Sequence, residues 1–127
     1  MPADELDDPK VVAEITAEFE RYEAALLVND LATLNELFWH DPRTVRLGIG
    51  ECLYGYDEIE QWRNDAQPVP ASRQILRTEI TTLGADVALI DCEFRNGDVP
   101  ALGRQSQVWV RRPEGWRIVR AHVSMLT

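Results

Sequence analysis

Between residues 11 and 28 the apolar side chains Val12, Ile15, Phe19, Tyr22 and Leu26 recur at alternating steps of three and four, with Glu14, Glu18 and Arg21 on the opposite side. That spacing predicts an amphipathic helix of about five turns. Asn29-Asp30 supplies a stop and then a cap for a shorter helix over residues 31–38, whose stripe is Leu34, Leu37 and Phe38, and Asp41-Pro42 ends it. A two-helix hairpin therefore opens the chain. Residues 44–49 alternate instead, Val45, Leu47 and Ile49 against Thr44, Arg46 and Gly48, and predict a strand, with a short extended piece at 51–54. Asp57 and Glu60 have capping-box spacing, and Ile59, Trp62 and Ala66 share one face, so a third helix is expected over 58–67, before Pro68-Val69-Pro70 breaks it.

After Pro70 four segments alternate, 72–83, 86–94, 103–112 and 116–125, divided by Gly84-Ala85, by Asn96-Gly97-Asp98 with Pro100, and by Pro113-Glu114-Gly115. They form an antiparallel meander. Helices followed by strands with short connections predict one α+β domain over residues 1–127, a cone-shaped curved antiparallel sheet wrapped around the N-terminal helical hairpin and the third helix. In the last segment Val119, Ala121, Val123 and Met125 make one side apolar, while Trp116, Ile118, Arg120, His122 and Ser124 make the other apolar first and polar later. Two partly apolar sides in a small domain call for a second cover, which predicts a homodimer.

Composition narrows the function. The chain has 127 residues, 45% hydrophobic and 28% charged, enough for a sizeable core in a soluble domain. A net charge of -9 argues against nucleic acid and membrane surfaces as partners. Residues 1–60 hold 15 acids and four bases, whereas residues 61–127 hold seven acids and nine bases. Twelve of the 13 bases are Arg, whose planar fork grips carboxylates, so small acids are a candidate ligand class; solvated arginines balancing acidic helices are the other reading. Cys52 and Cys92 have neither disulfide-framework nor zinc spacing and read as small buried hydrophobes. The acidic N-terminus lacks the basic start and apolar stretch of a signal peptide, and a cytoplasmic location is expected.

Tyr22 falls within the buried stripe of the first helix. It is either a core tyrosine bonded to backbone or a donor facing a pocket between helix and sheet. Arg46 is either solvent-facing or on the enclosed side, where it would demand an anion. An inward Tyr22 and Arg46 together would make a proton donor beside a carboxylate clamp. His122 and Ser124 share a strand side with Arg120, and Gln105 and Gln107 share one with Trp109; each has an ordinary structural reading as well. Trp62 is core or an apolar pocket wall. Nucleophile elbows, phosphate loops and metal motifs are missing from the sequence, so no cofactor and no metal are expected.

The segments Arg21-Tyr22-Glu23-Ala24-Ala25-Leu26, Gly55-Tyr56-Asp57-Glu58-Ile59 and Gly115-Trp116-Arg117-Ile118-Val119 resemble the nuclear transport factor two-like superfamily. Thr44-Val45-Arg46-Leu47-Gly48, Leu53-Tyr54-Gly55, Gly103-Arg104-Gln105-Ser106-Gln107-Val108-Trp109-Val110 and Ala121-His122-Val123-Ser124 are similar to its AtzH and HpxZ branch. The superfamily likeness implies an oxyanion-donor role for Tyr22, as in ketosteroid isomerases. Around Arg46 and Leu47, however, the carboxylate that serves those isomerases as base is missing. The branch likeness implies a decarboxylating amidohydrolase that converts 1,3-dicarboxyurea to allophanate in cyanuric acid catabolism, part of s-triazine degradation. Arg46 would clamp one carboxylate and Tyr22 would donate a hydrogen bond or the proton. His122, Ser124 and Gln107 would orient the urea core, with Trp62 beside it. A non-catalytic accessory protein for a partner amidase is the alternative, since the fold supports both.

Overall fold

A computed structural model describes residues 2–127. Among them the elements run α1 (Pro9–Leu27), α2 (Leu31–Leu37), β1 (Val45–Leu47), β2 (Cys52–Tyr54), α3 (Tyr56–Asp65), β3 (Arg73–Leu83), β4 (Val87–Asn96), β5 (Leu102–Arg112) and β6 (Gly115–Leu126), after a 3-10 turn at Ala3–Glu5. The helical hairpin forms for the expected local reasons. Asp8 caps α1 at the Lys10 amide (3.0 Å), and Pro9 starts the helix where its missing N–H costs nothing. Asn29, with φ 52°, turns the chain, and the Asp30 carboxylate then accepts from the Thr33 amide (3.1 Å) and hydroxyl (2.7 Å) to start α2.

The third helix begins differently from the expectation. It starts at Tyr56 behind Gly55, whose φ of 95° suits glycine, and Asp57 makes no cap. Glu58 instead accepts from the Tyr54 amide (3.0 Å). Asp57 and Glu58 therefore sit inside the first turn, where their charge complements the positive end of the helix dipole.

The strands make one curved, unclosed six-stranded sheet in the order β2-β1-β6-β5-β4-β3 among the described residues. The meander is antiparallel as expected, but the sheet as a whole is mixed, because β1 lies parallel to β6 with Arg46 opposite Ala121. Alternation specifies the faces of a strand and carries no information about its neighbour's direction. Here the chain makes the β1–β2 hairpin, crosses α3, and returns so that its last strand fills the slot beside β1.

A bulge at Val119 in β6 decides the other face assignment. One extra residue reverses the alternation. Trp116 and Ile118 before the bulge and Ala121, Val123 and Met125 after it all pack on the inner side, while Arg120 and His122 are exposed. The two apolar stretches thus share one face, which removes the reason the plain alternation offered for a second copy. The inner face meets Ile15, Phe19 and Tyr22 of α1 over a core centred on the fully buried Trp109 and Ile118. Phe94 of β4 gains its place from Gly103 opposite, where a Cβ would lie 2.2 Å from the ring.

Among the described residues no helix is long and apolar enough to cross a membrane. The cysteines divide: Cys92 is buried, whereas Cys52 is exposed at the β2 edge rather than in the core. Burial pushes the Cys92 thiol up to about 12, and only the thiolate is reactive. In the folded protein at neutral pH a maleimide is expected to label Cys52 alone, with Cys92 reacting only after denaturation. Equal labelling of both, read by peptide mass, would contradict this packing.

Candidate functional site

Between the hairpin, α3 and the open end of the sheet lies a cavity of about 250 Å³. Tyr22, two helical turns from Ile15 on the buried stripe, lines it. Its ring is 5% exposed and fixed edge-on against Trp109 (centroids 6.4 Å, 88°) and tilted against Phe38 (6.4 Å). No hydrogen bond ties its hydroxyl to the protein among the described residues. Burial raises the phenol above its ordinary range despite the nearby guanidinium groups of Arg63 and Arg46. At neutral pH it is therefore a neutral donor and not a base.

Arg46 lies on the enclosed side of β1 with the buried Thr44, which decides against the solvent-facing reading. Its guanidinium covers the Trp62 indole (3.9 Å to the centroid) and pairs with Glu51. Glu51 also accepts from the Gly50 amide (3.1 Å). Gly48 makes room for this pair, since a Cβ there would lie 1.8 Å from the Glu51 carboxylate. Trp62, half-buried on α3, is thus a wall of the cavity and a platform for the cation.

Two further neighbours, Arg63 and Arg73, were not singled out from the sequence, and Gln105, named there beside Gln107, joins them. Arg63, next to Trp62 and one turn after the buried Ile59, is 6% exposed and lines the cavity. Helical spacing from Ile59 is the signal that reaches it, since positions four apart share a face. Arg73, at the start of β3, is held by Glu23 of α1 through two hydrogen bonds (3.0 and 3.3 Å) and lies over Phe94 (3.9 Å). Gln105 of β5 donates to Glu23 (3.4 Å) and reaches the cavity wall.

The remaining expected residues are placed elsewhere. Gln107 shares the inner face with Gln105 but lies deeper and does not line the cavity; its carbonyl accepts from the Trp109 indole (2.9 Å). His122 and Ser124 are on the outer face of β6, a consequence of the Val119 bulge, and Ser124 accepts from Arg104 (3.2 Å). Tyr22, Arg46 and Trp62 are brought together; His122, Ser124 and Gln107 do not join them. Among the described residues no three of His, Cys, Asp and Glu gather as a metal site needs. The arrangement is a small cavity with guanidinium groups, an indole and a protonated phenol, suited to holding a small anion and hydrogen-bonding charge that develops on it.

The family model described as AtzH-like matches residues 4–127. No curated protein matches. Among solved structures, a protein of unknown function of the DUF3225 family from Pectobacterium atrosepticum is 48% identical, with a TM-score of 0.96 over 100% of this chain and 99% of that one. A cystatin-like fold protein from Burkholderia xenovorans is 47% identical, with a TM-score of 0.94 over 97% of each chain. A nuclear transport factor 2-like superfamily protein from Salmonella enterica shares the fold at 24% identity and a TM-score of 0.76, over 94% of this chain and 93% of that one.

Proposed function

Since the chain belongs to the AtzH-like family, we propose that it is a cofactor-independent enzyme that removes one carboxylate from 1,3-dicarboxyurea to leave allophanate in cyanuric acid catabolism. The observation that carries this reading is the convergence of the Arg46 guanidinium and the protonated Tyr22 phenol on one cavity.

The substrate is a dianion that must lose carbon dioxide and gain one proton. As the bond between nitrogen and the departing carboxylate breaks, its electron pair stays on nitrogen and spreads onto the urea oxygen. Arg46 takes a carboxylate by charge-assisted hydrogen bonds, in exchange for Glu51. Tyr22 donates its O–H to the charge gathering on the urea core and is the proton donor in this reading. Gln105 and Trp62 orient the core in place of Gln107, His122 and Ser124. Neither a covalent nucleophile nor an activated water is required.

Incubating the purified protein with freshly generated dicarboxyurea is expected to release carbon dioxide and allophanate well above the spontaneous background. Binding of dicarboxyurea with release at the background rate would sink the enzymatic reading and favour an accessory role beside an amidase.

A further inference from the structure

The three cavity arginines differ in what holds them. Arg46 has Glu51 and Arg73 has Glu23, whereas Arg63 has no ion pair among the described residues. Its Nε–H donates to the Asn35 side chain of α2 (3.0 Å), and its Nη2, fully enclosed, has no partner. Its guanidinium lies near Phe38 (4.9 Å) and Trp62 (5.6 Å). Those rings attract the cation but accept none of its conventional hydrogen bonds. Burying a charge is costly unless a counter-charge and hydrogen bonds come with it. Arg63 is thus fixed in direction by Asn35, lines the cavity, and lies against the same indole that carries Arg46.

We infer that Arg63 is a second carboxylate anchor, and that the cavity selects small dicarboxylates over monocarboxylates by engaging one end with Arg63 and the other with Arg46. This rests on the cavity being the substrate site, and it adds what the substrate's second carboxylate is for: it supplies the counter-charge that Arg63 lacks. A monoanion satisfies Arg63 and leaves Glu51 on Arg46, while the second carboxylate of a dianion, tethered beside Arg46, displaces Glu51 and gains both contacts.

The test uses stable probes, glutarate as the dicarboxylate and butyrate as its monocarboxylate counterpart, with affinities from calorimetry on wild type, Arg63→Met and Arg63→Lys. Wild type is expected to prefer glutarate by at least about tenfold, as loss of one charge-assisted contact implies. Arg63→Met should abolish the preference, and Arg63→Lys should retain most of it. Without added anion, Arg63→Met should melt no lower than wild type, because an apolar side chain replaces an uncompensated charge. An Arg63→Met protein that keeps the glutarate preference, or that fails to fold, overturns the inference. Selective glutarate binding by a wild-type protein that releases no carbon dioxide from dicarboxyurea would remove the decarboxylase reading and leave Arg63 as an anchor.

Discussion

Arg46→Ala and Tyr22→Phe proteins, each folded, are expected to release carbon dioxide from dicarboxyurea at least about 10²-fold more slowly than wild type, the size of effect seen when one preorganised donor is removed. The two losses should differ in kind. Arg46→Ala removes a contact to a carboxylate, so weaker saturation accompanies the lower rate, and it frees Glu51 to face the cavity as an unpaired acid. Tyr22→Phe keeps the ring and its packing on Trp109 and Phe38, so it should lower kcat with little change in KM. Because burial holds the phenol above its ordinary range, it stays protonated from about pH 6 to about pH 9. Wild-type kcat should therefore not fall across that interval through ionisation of Tyr22. Either variant turning over dicarboxyurea at the wild-type rate would remove that residue from the mechanism.

Trp109→Ala is expected to cost about 3–5 kcal/mol, the usual range for truncating a fully buried large aromatic side chain. The lost indole contacts the Tyr22 ring edge-on and donates to Gln107, so a cavity and an unpaired carbonyl remain behind it. For a domain whose total stability is of the order of 5–15 kcal/mol, that is about a fifth or more. The denaturant midpoint should fall sharply at unchanged slope. Turnover should fall as well in the fraction that remains folded, since Tyr22 loses the wall that fixes its ring. A shift in stability below about 1 kcal/mol would mean that the inner face is loosely packed.

The dependence of the site on packing explains which of its parts were legible in the chain. Tyr22 could be read because it sits on a helical stripe whose other members are apolar, and Arg46 because it interrupts a short strand. Arg63 escaped because a charged residue beside Trp62 reads as solvated, although the helix turns both towards the cavity. His122 and Ser124 were placed on the wrong side by a single residue: strict alternation runs through Val119, whereas the folded strand bulges there and moves everything after it to the other face. Choosing between Gln105 and Gln107 depends on depth along β5, a coordinate absent from a two-residue repeat.

By itself, the order of residues determined the helical hairpin, the break at the prolines, the four-strand meander and the excess of arginine in the second half, because periodicity, caps and turn residues act over a few positions. Only the tertiary structure decided the parallel pairing of β1 with β6, the side on which each β6 residue faces, and the meeting of Tyr22, Arg46 and Arg63 around one cavity. Those outcomes depend on contacts between segments far apart in sequence, such as Arg46 opposite Ala121, and on a bulge whose cost is repaid only when both apolar stretches of β6 reach the same core.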